Sequence, residues 1–298
     1  MVLSSRVGRG LGAALLAGCI GFAAAPAAAQ LAPSQPIKIV VSAPAGGIGD
    51  LAARIVAQRL TDDGHPAIVE NRVGANGIVA TDAIAKVRPD GYTLIIGNHS
   101  TLAILPHMTK VGYDPTGDFV PIALMVAAPN VLVVKASLPV NSVRELVAYG
   151  KARPLTNASQ GIGASGHLIG EQFRQFTVVS LTREQVLSGQ LRALAILSPQ
   201  RNPVLPDVPT AAEAGLAGLE GGAWFGLMAP AGTPRPIVDW LNAQTRKAYE
   251  ASDVSKRLTG QGLRLPLGTP EEFAALIAAD SKRWGDVIRQ GGIKLESN

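Results

Sequence analysis

Apolar and polar positions alternate along the chain in a fixed grammar. The run PIKIVV (residues 36–41) is followed by DLAARIVAQRL, in which Leu51, Ile55, Val56 and Leu60 recur at helical spacing and Arg54, Gln58 and Arg59 take the other face. PAIVEN, TDAIAKV and YTLIIG come next, and together these segments read strand, helix, strand, helix, strand. That order predicts a parallel sheet covered by helices. Arg88-Pro89-Asp90-Gly91 forms a turn signal ahead of YTLIIG. From Val131 the grammar restarts with VLVV, an amphipathic helix in SVRELVAYGKA, and a polar, Gly-rich stretch before GHLIGEQF. LRALAILS and WFGLMAP read as later strands. Thr233-Pro234 and Thr269-Pro270 each place a capping residue before a proline, and Glu272 completes a capping box with Thr269. In the last helix Phe273, Leu276, Ile277, Trp284, Val287 and Ile288 share one face until Gly291-Gly292 ends it.

Residues 1–29 follow a different rule. Arg6 and Arg9 precede an apolar stretch that closes on Ala27-Ala28-Ala29, the pattern of an export signal, and the apolar part is shorter than the roughly 20 residues a bilayer span needs. Cys19, the single cysteine, lies within this segment in Leu16-Ala17-Gly18-Cys19. Those four residues also fit a lipobox, so a lipid anchor at Cys19 is the alternative to a soluble product cut after Ala29. The soluble product has no thiol, which excludes disulfides and cysteine-ligated metal. Export also removes two of the 27 basic residues and none of the 22 acidic ones, so the net charge of +5 falls to +3. With aromatic residues at 4% and no Lys/Arg run, a nucleic-acid surface is not expected.

The candidate chemistry centres on Gly-rich loops that precede helices. Gly47-Ile48-Gly49-Asp50-Leu51-Ala52 matches G-x-G-x-x-A, and Glu70 ends the next strand at the spacing of a ribose-binding acid. This sustains one alternative, a nucleotide-dependent oxidoreductase using the Gly47-x-Gly49 loop. Residues 42–46 intervene between strand and glycine, however, where a pyrophosphate turn needs the glycine at the strand end. Gly163-Ala164-Ser165-Gly166-His167 misses the G-x-S-x-G nucleophile pattern at its final position. The four histidines, His65, His99, His107 and His167, have no metal-ligand spacing, so no metal, cofactor or catalytic residue is expected. Recognition without chemistry remains. A helix start offers unpaired N–H groups and partial positive charge, and glycine lets an anion approach the backbone. Two such loops facing each other would clamp a small anion.

The ordered motifs PAGGIGD (44–50), VENRVGANG (69–77), RPDGYTL (88–94), YDPTGDFVPI (113–122), PNVLVV (129–134), NASQGIGASGHLIGE, LRALAILSPQR, LPDVPTAAEAG, WFGLMAPAGTP and GTPEEFAALI carry a resemblance over nearly the whole mature length. The chain resembles the Bug-type extracytoplasmic solute receptors of tripartite tricarboxylate transporters. The resemblance implies a two-lobe α/β periplasmic binding protein (type II) fold, with residues 1–29 as signal peptide, 30–130 plus 224–298 as lobe one and 131–223 as lobe two. It implies a periplasmic, monomeric, non-enzymatic receptor for a small carboxylate (a di- or tricarboxylate, an aromatic acid or an amino acid) that serves membrane permease subunits of a tripartite transporter. Carried onto this chain, the ligand would meet Ala45, Gly46 and Gly47, with Asp50 as helix cap, and Ser159, Gly161, Gly163, Ser165 and His167. The chain departs from the family at Gln160 and Ala164, where hydroxyl residues are usual, and at Leu105, where an amide is usual. Between Phe176 and Val178 a strand-helix unit of lobe two, on the order of 30 residues, is missing by comparison with the family. A degenerate receptor without ligand is therefore the second alternative.

Overall fold

A computed structural model describes residues 35–153, 163–172 and 186–293. The first strand, β1 (Ile37–Val41), is apolar and buried except at Lys38, as suits a central parallel strand. It pairs in parallel with β2 (Ala67–Asn71) on one side and β3 (Thr93–Asn98) on the other. Helix α1 (Ile48–Asp62) connects β1 to β2, and α2 (Ile78–Ala85) leads from β2 to β3. This much follows the apolar periodicity.

The remainder of the sheet does not. After β3 come a π-helical segment (Ser100–Ile104), a single turn α3 (Leu105–Met108) and the long strand β4 (Phe119–Pro129). The chain then enters a second sheet through β5 (Val131–Lys135), forms α4 (Val143–Ala152) and α5 (Ser165–Gln172), and leaves through β6 (Leu191–Ile196), which pairs antiparallel with β5. Strand β7 (Gly222–Pro230) returns to the first sheet and lies antiparallel between β3 and β4, giving the order β2-β1-β3-β7-β4. The expected parallel sheet is thus mixed, because a strand returning from another sheet arrives from the opposite direction. The two changes of sheet fall between Pro129 and Val131 and just before Gly222. Gly222 admits no side chain at the second one: a Cβ there would lie 2.4 Å from the Ala128 carbonyl oxygen.

Helices α6 (Arg235–Glu250), α7 (Ser252–Thr259) and α8 (Pro270–Gly291) complete the first lobe. One face of the sheet packs Ile37, Ile39 and Val41 against α1 and against Ile237, Leu241 and Tyr249 of α6. The other packs Val40 and Ile95 against α2, the π-helical segment and Phe273, Ile277 and Trp284 of α8, and this cluster runs on into Leu132, Leu146, Leu168 and Leu194 of the second lobe. Burying a side chain such as Phe273 fully contributes about 1.5–3 kcal/mol. The fold is a mixed α/β, two-lobe periplasmic binding protein fold.

The capping signals divide. Thr269 forms the expected capping box with Glu272, and Gly292 ends α8 in a left-handed conformation at φ 62°. Thr233 is not a cap. The helix starts at Arg235 with Pro236 in its first turn, and the Thr233 hydroxyl instead donates to the Pro230 carbonyl at 2.8 Å. The Phe176 to Val178 junction lies outside the described residues, as do Ser159, Gly161 and the whole of residues 1–34.

Candidate functional site

The carboxyl ends of β1, β2 and β3 lie side by side, where open α/β sheets place their ligands. From β1 the chain runs through Ser42 and Ala43 to Pro44, Ala45, Gly46 and Gly47, the last four exposed, before α1 begins at Ile48. Gly46 takes φ 89°, which only glycine adopts without strain, and the helix start at Gly47 carries no side-chain cap. The first N–H groups of α1 are therefore left to solvent or to an anion.

Asp50 has a different role from the expected one. The cap position is Gly47, and Asp50 is the third helical residue, 4% exposed. Its carboxylate reaches back to accept the Gly46 N–H at 3.0 Å and is gripped by Arg54 at 2.9 and 3.0 Å. The Arg54 guanidinium, against the opposing cost of burial and with help from the Gly46 main chain and Asn71, holds the Asp50 pKa down at about 2. The acid shapes the loop, and its charge is matched by Arg54 beside it.

Two asparagines join the neighbouring strand ends to this loop. Asn71, at the end of β2, donates to the Ala43 carbonyl at 3.1 Å. Asn98, at the end of β3, donates to the Ser42 hydroxyl at 3.2 Å, while its oxygen accepts the N–H groups of Ser100 and Thr101 at 2.9 and 3.1 Å. A further segment, Gly74 to Gly77, packs against the same end. Ala75 and Asn76 both sit at positive φ, 44° and 54°, and a Cβ on Gly77 would lie 2.9 Å from Thr101 and 3.1 Å from Ser42. Positive φ at two consecutive non-glycine residues stores strain of order 1–3 kcal/mol each, which is commonest at ligand sites. Sequence reading missed Asn71, Asn98 and this turn; the Asn-Gly pair at 76–77 was the available signal.

What the structure describes of the second loop docks on the first lobe. The Ser100 hydroxyl donates to the Gly163 carbonyl at 3.0 Å, the Ser165 N–H donates to His99 Nε2 at 3.3 Å, and Asn130 donates to the Ser165 hydroxyl at 3.0 Å. Gly163, at φ 81°, lies so close to Leu105 that a Cβ would come within 2.7 Å of its side chain. Leu105 is fully buried in this contact. Ala45, Gly46 and Gly47 are thus linked to Gly163 and Ser165 through Ser42, Asn98 and Ser100. Ser165 is 1% exposed and its hydroxyl is spoken for. His167 is half-buried in the first turn of α5, with Nδ1 unpaired.

Glu70, the acid of the dinucleotide alternative, accepts from Arg72 at 2.6 and 3.1 Å and pairs with Lys38 at 3.0 Å; these cations depress its pKa and occupy the oxygens a ribose would need. Ser165 Oγ meets Asn130 rather than a histidine, so it is not a nucleophile–base pair. Among the described residues no cluster of three or more His, Cys, Asp or Glu could hold a metal. A cavity of about 300 Å³ lies away from the loops, between β4, β7 and α8, lined by Ala128, Gly222, Trp224, Asp280 and Arg283.

Comparison with known proteins bears on this arrangement. The sequence model described as "Tripartite tricarboxylate transporter family receptor" matches residues 52–183 and 175–293. Protein BugT of Bordetella pertussis is 35% identical, over 92% of this chain and 94% of its own length. A Rhodopseudomonas palustris protein solved with adipate superposes with a TM-score of 0.77 at 31% identity, covering 88% of this chain and 99% of the other. MatC from the same organism, solved with bound malate, gives 0.74 at 31%, covering 86% and 99%. The match to BugT runs over 307 positions, more than the 298 residues of the chain, yet takes in only 92% of them. About 30 positions of that match therefore have no residue of this chain opposite them, and the two stretches that the family model matches overlap at 175–183, around the Phe176 to Val178 junction.

Proposed function

The chain belongs to the tripartite tricarboxylate transporter receptor family, and from that premise we propose that it captures a small carboxylate between its two lobes and presents it to membrane permease subunits. The observation that carries the reading is the pairing of two glycine-bearing loops, one ahead of α1 and one ahead of α5, tied together through Ser42, Asn98 and Ser100. Relatives of about 31% identity were solved with adipate and with malate, and this supports a carboxylate as the ligand here. The lobes divide near residues 130 and 223, where the chain changes sheet.

In this account Ala45 and Gly47 offer main-chain N–H groups from the first lobe, and Gly46, whose own N–H is held by Asp50, lets the ligand approach the backbone closely. Ser159, Gly161, Gly163 and His167 would offer the second half, with Ser165 fixing that half rather than touching the ligand. Asp50 contributes by holding Gly46, not by contact. The protein works as a periplasmic monomer without catalysis, in the soluble form or anchored at Cys19. Among the described residues no helix is long and apolar enough to cross a membrane.

A thermal-shift screen of the full chain tests this. Ligand at 100 times its Kd adds about 2.7 kcal/mol to stability, which raises Tm by about 4–5 °C in a chain of this size. Malate, adipate, citrate and benzoate form the positive panel and NAD the control. A shift with NAD alone would overturn the reading in favour of a nucleotide enzyme. A folded sample with no shift from any acid at millimolar concentration would make it a receptor without ligand.

A further inference from the structure

His99 is buried beside the proposed ligand loops without being one of the proposed ligand contacts. It follows β3 directly, is 7% exposed, and lies where the two lobes meet. Its Nε2 faces the main-chain nitrogen of Ser165 at 3.3 Å. That nitrogen can only donate, so Nε2 must present a lone pair and the ring proton must sit on Nδ1. The Trp224 main chain near the ring favours its proton, and Nδ1 has no hydrogen-bond partner among the described residues. Burial holds the pKa of the ring down to about 4, so the neutral acceptor is the form present at neutral pH. The groups that face the ring are uncharged: the Ser100 hydroxyl at 3.3 Å, the Ser165 main chain, and the Trp224 indole edge-on at 6.4 Å. Behind the indole, Asp280 accepts its N–H at 2.6 Å.

Ser165 is the first residue of α5, and its N–H is one of the donors that a helix start leaves open. Fixing that donor fixes the orientation of the helix start. Ser100 holds the Gly163 carbonyl and Asn130 holds the Ser165 hydroxyl, and among the described residues the imidazole is the acceptor of the Ser165 N–H. A lysine or arginine at position 99 could not accept it, and an aliphatic residue would leave it buried and unpaired. We propose that His99 is a positioning residue of the receptor: as a lone-pair acceptor across the lobe junction, it sets the start of α5 so that the second loop faces the first.

The proposal rests on the carboxylate-receptor reading, and its experiment separates the two. The ¹⁵N spectrum of the His99 ring in the full chain is expected to show a protonated Nδ1 and an unprotonated Nε2, and hydrogen exchange is expected to show a protected Ser165 amide. Neither readout needs a ligand. His99→Gln retains an acceptor oxygen near the Nε2 position, whereas His99→Leu fills the space without one. His99→Leu is expected to lose Ser165 protection and to weaken malate or adipate binding about tenfold, and His99→Gln to restore most of both. A protonated Nε2, or Ser165 protection and affinity unchanged in His99→Leu, would overturn the proposal. If no acid of the thermal-shift panel binds the wild-type chain the carboxylate reading fails, and the ring tautomer and Ser165 exchange still decide the role of His99. If His99→Leu does not fold, the wild-type spectrum and His99→Gln decide it.

Discussion

One carboxylate with three hydrogen-bond donors on it shapes the loop ahead of α1. Asp50 is drawn below its ordinary pKa, to about 2, chiefly by Arg54. A depressed folded-state pKa stabilises above the unfolded value near 3.9 and is lost as pH falls through the folded value. The wild-type Tm should therefore drop between pH 4 and pH 2 more steeply than that of Asp50→Asn, as scanning calorimetry at stepped pH would show; parallel curves would remove the role given to the ion pair. Gly77 makes the companion case. At φ 95°, and with Thr101 and Ser42 at 2.9 and 3.1 Å from an added methyl group, Gly77→Ala combines backbone strain with overpacking. It should cost about 2–4 kcal/mol in denaturant titration and weaken ligand binding in the folded fraction. Gly46 and Gly47 were legible as loop glycines because glycine clusters are visible in sequence. Asn71 and Asn98 were not, since a half-buried asparagine that ties two loops together looks in sequence like any strand-end polar residue.

At the scale of elements, local periodicity and capping carried the reading where local physics decides. Helix α8 is the clear instance: its apolar face, its capping box at Thr269 and its left-handed stop at Gly292 are all written within 24 consecutive positions. Thr269→Ala should lower stability by about 1 kcal/mol and Tm by about 2–4 °C, with ligand affinity unchanged, measured by calorimetry and titration of the same sample. Thr233 looked the same in sequence, but a second proline at position 236 moved the helix start and gave the hydroxyl another acceptor. The π-helical segment at Ser100–Ile104 had no local signal. It is held by Asn98 from before it and by Tyr113, whose hydroxyl donates to the Thr101 carbonyl at 2.7 Å, from after it.

For the whole molecule, the two-lobe arrangement was legible from the repeated strand, loop and helix grammar together with the order of the family motifs. The place of β7 between β3 and β4 was not, because it depends on pairing between segments more than ninety residues apart. The shortfall of about 30 positions is carried by the length of the match to BugT. Among the described residues the start of α5 is fixed to His99, Ser100 and Asn130. That contact is the ground for expecting binding in spite of the shortfall.

The central claim is that two Gly-rich loops, one from each lobe, hold a carboxylate through main-chain N–H groups. An amide ¹H–¹⁵N titration of the full chain with malate and adipate tests it most directly. The account predicts saturable shifts at Gly46, Gly47, Ile48 and Gly163. Shifts confined to Gly221, Gly222 and Trp224 beside the separate cavity, or no shifts from either acid in a folded sample, would contradict it.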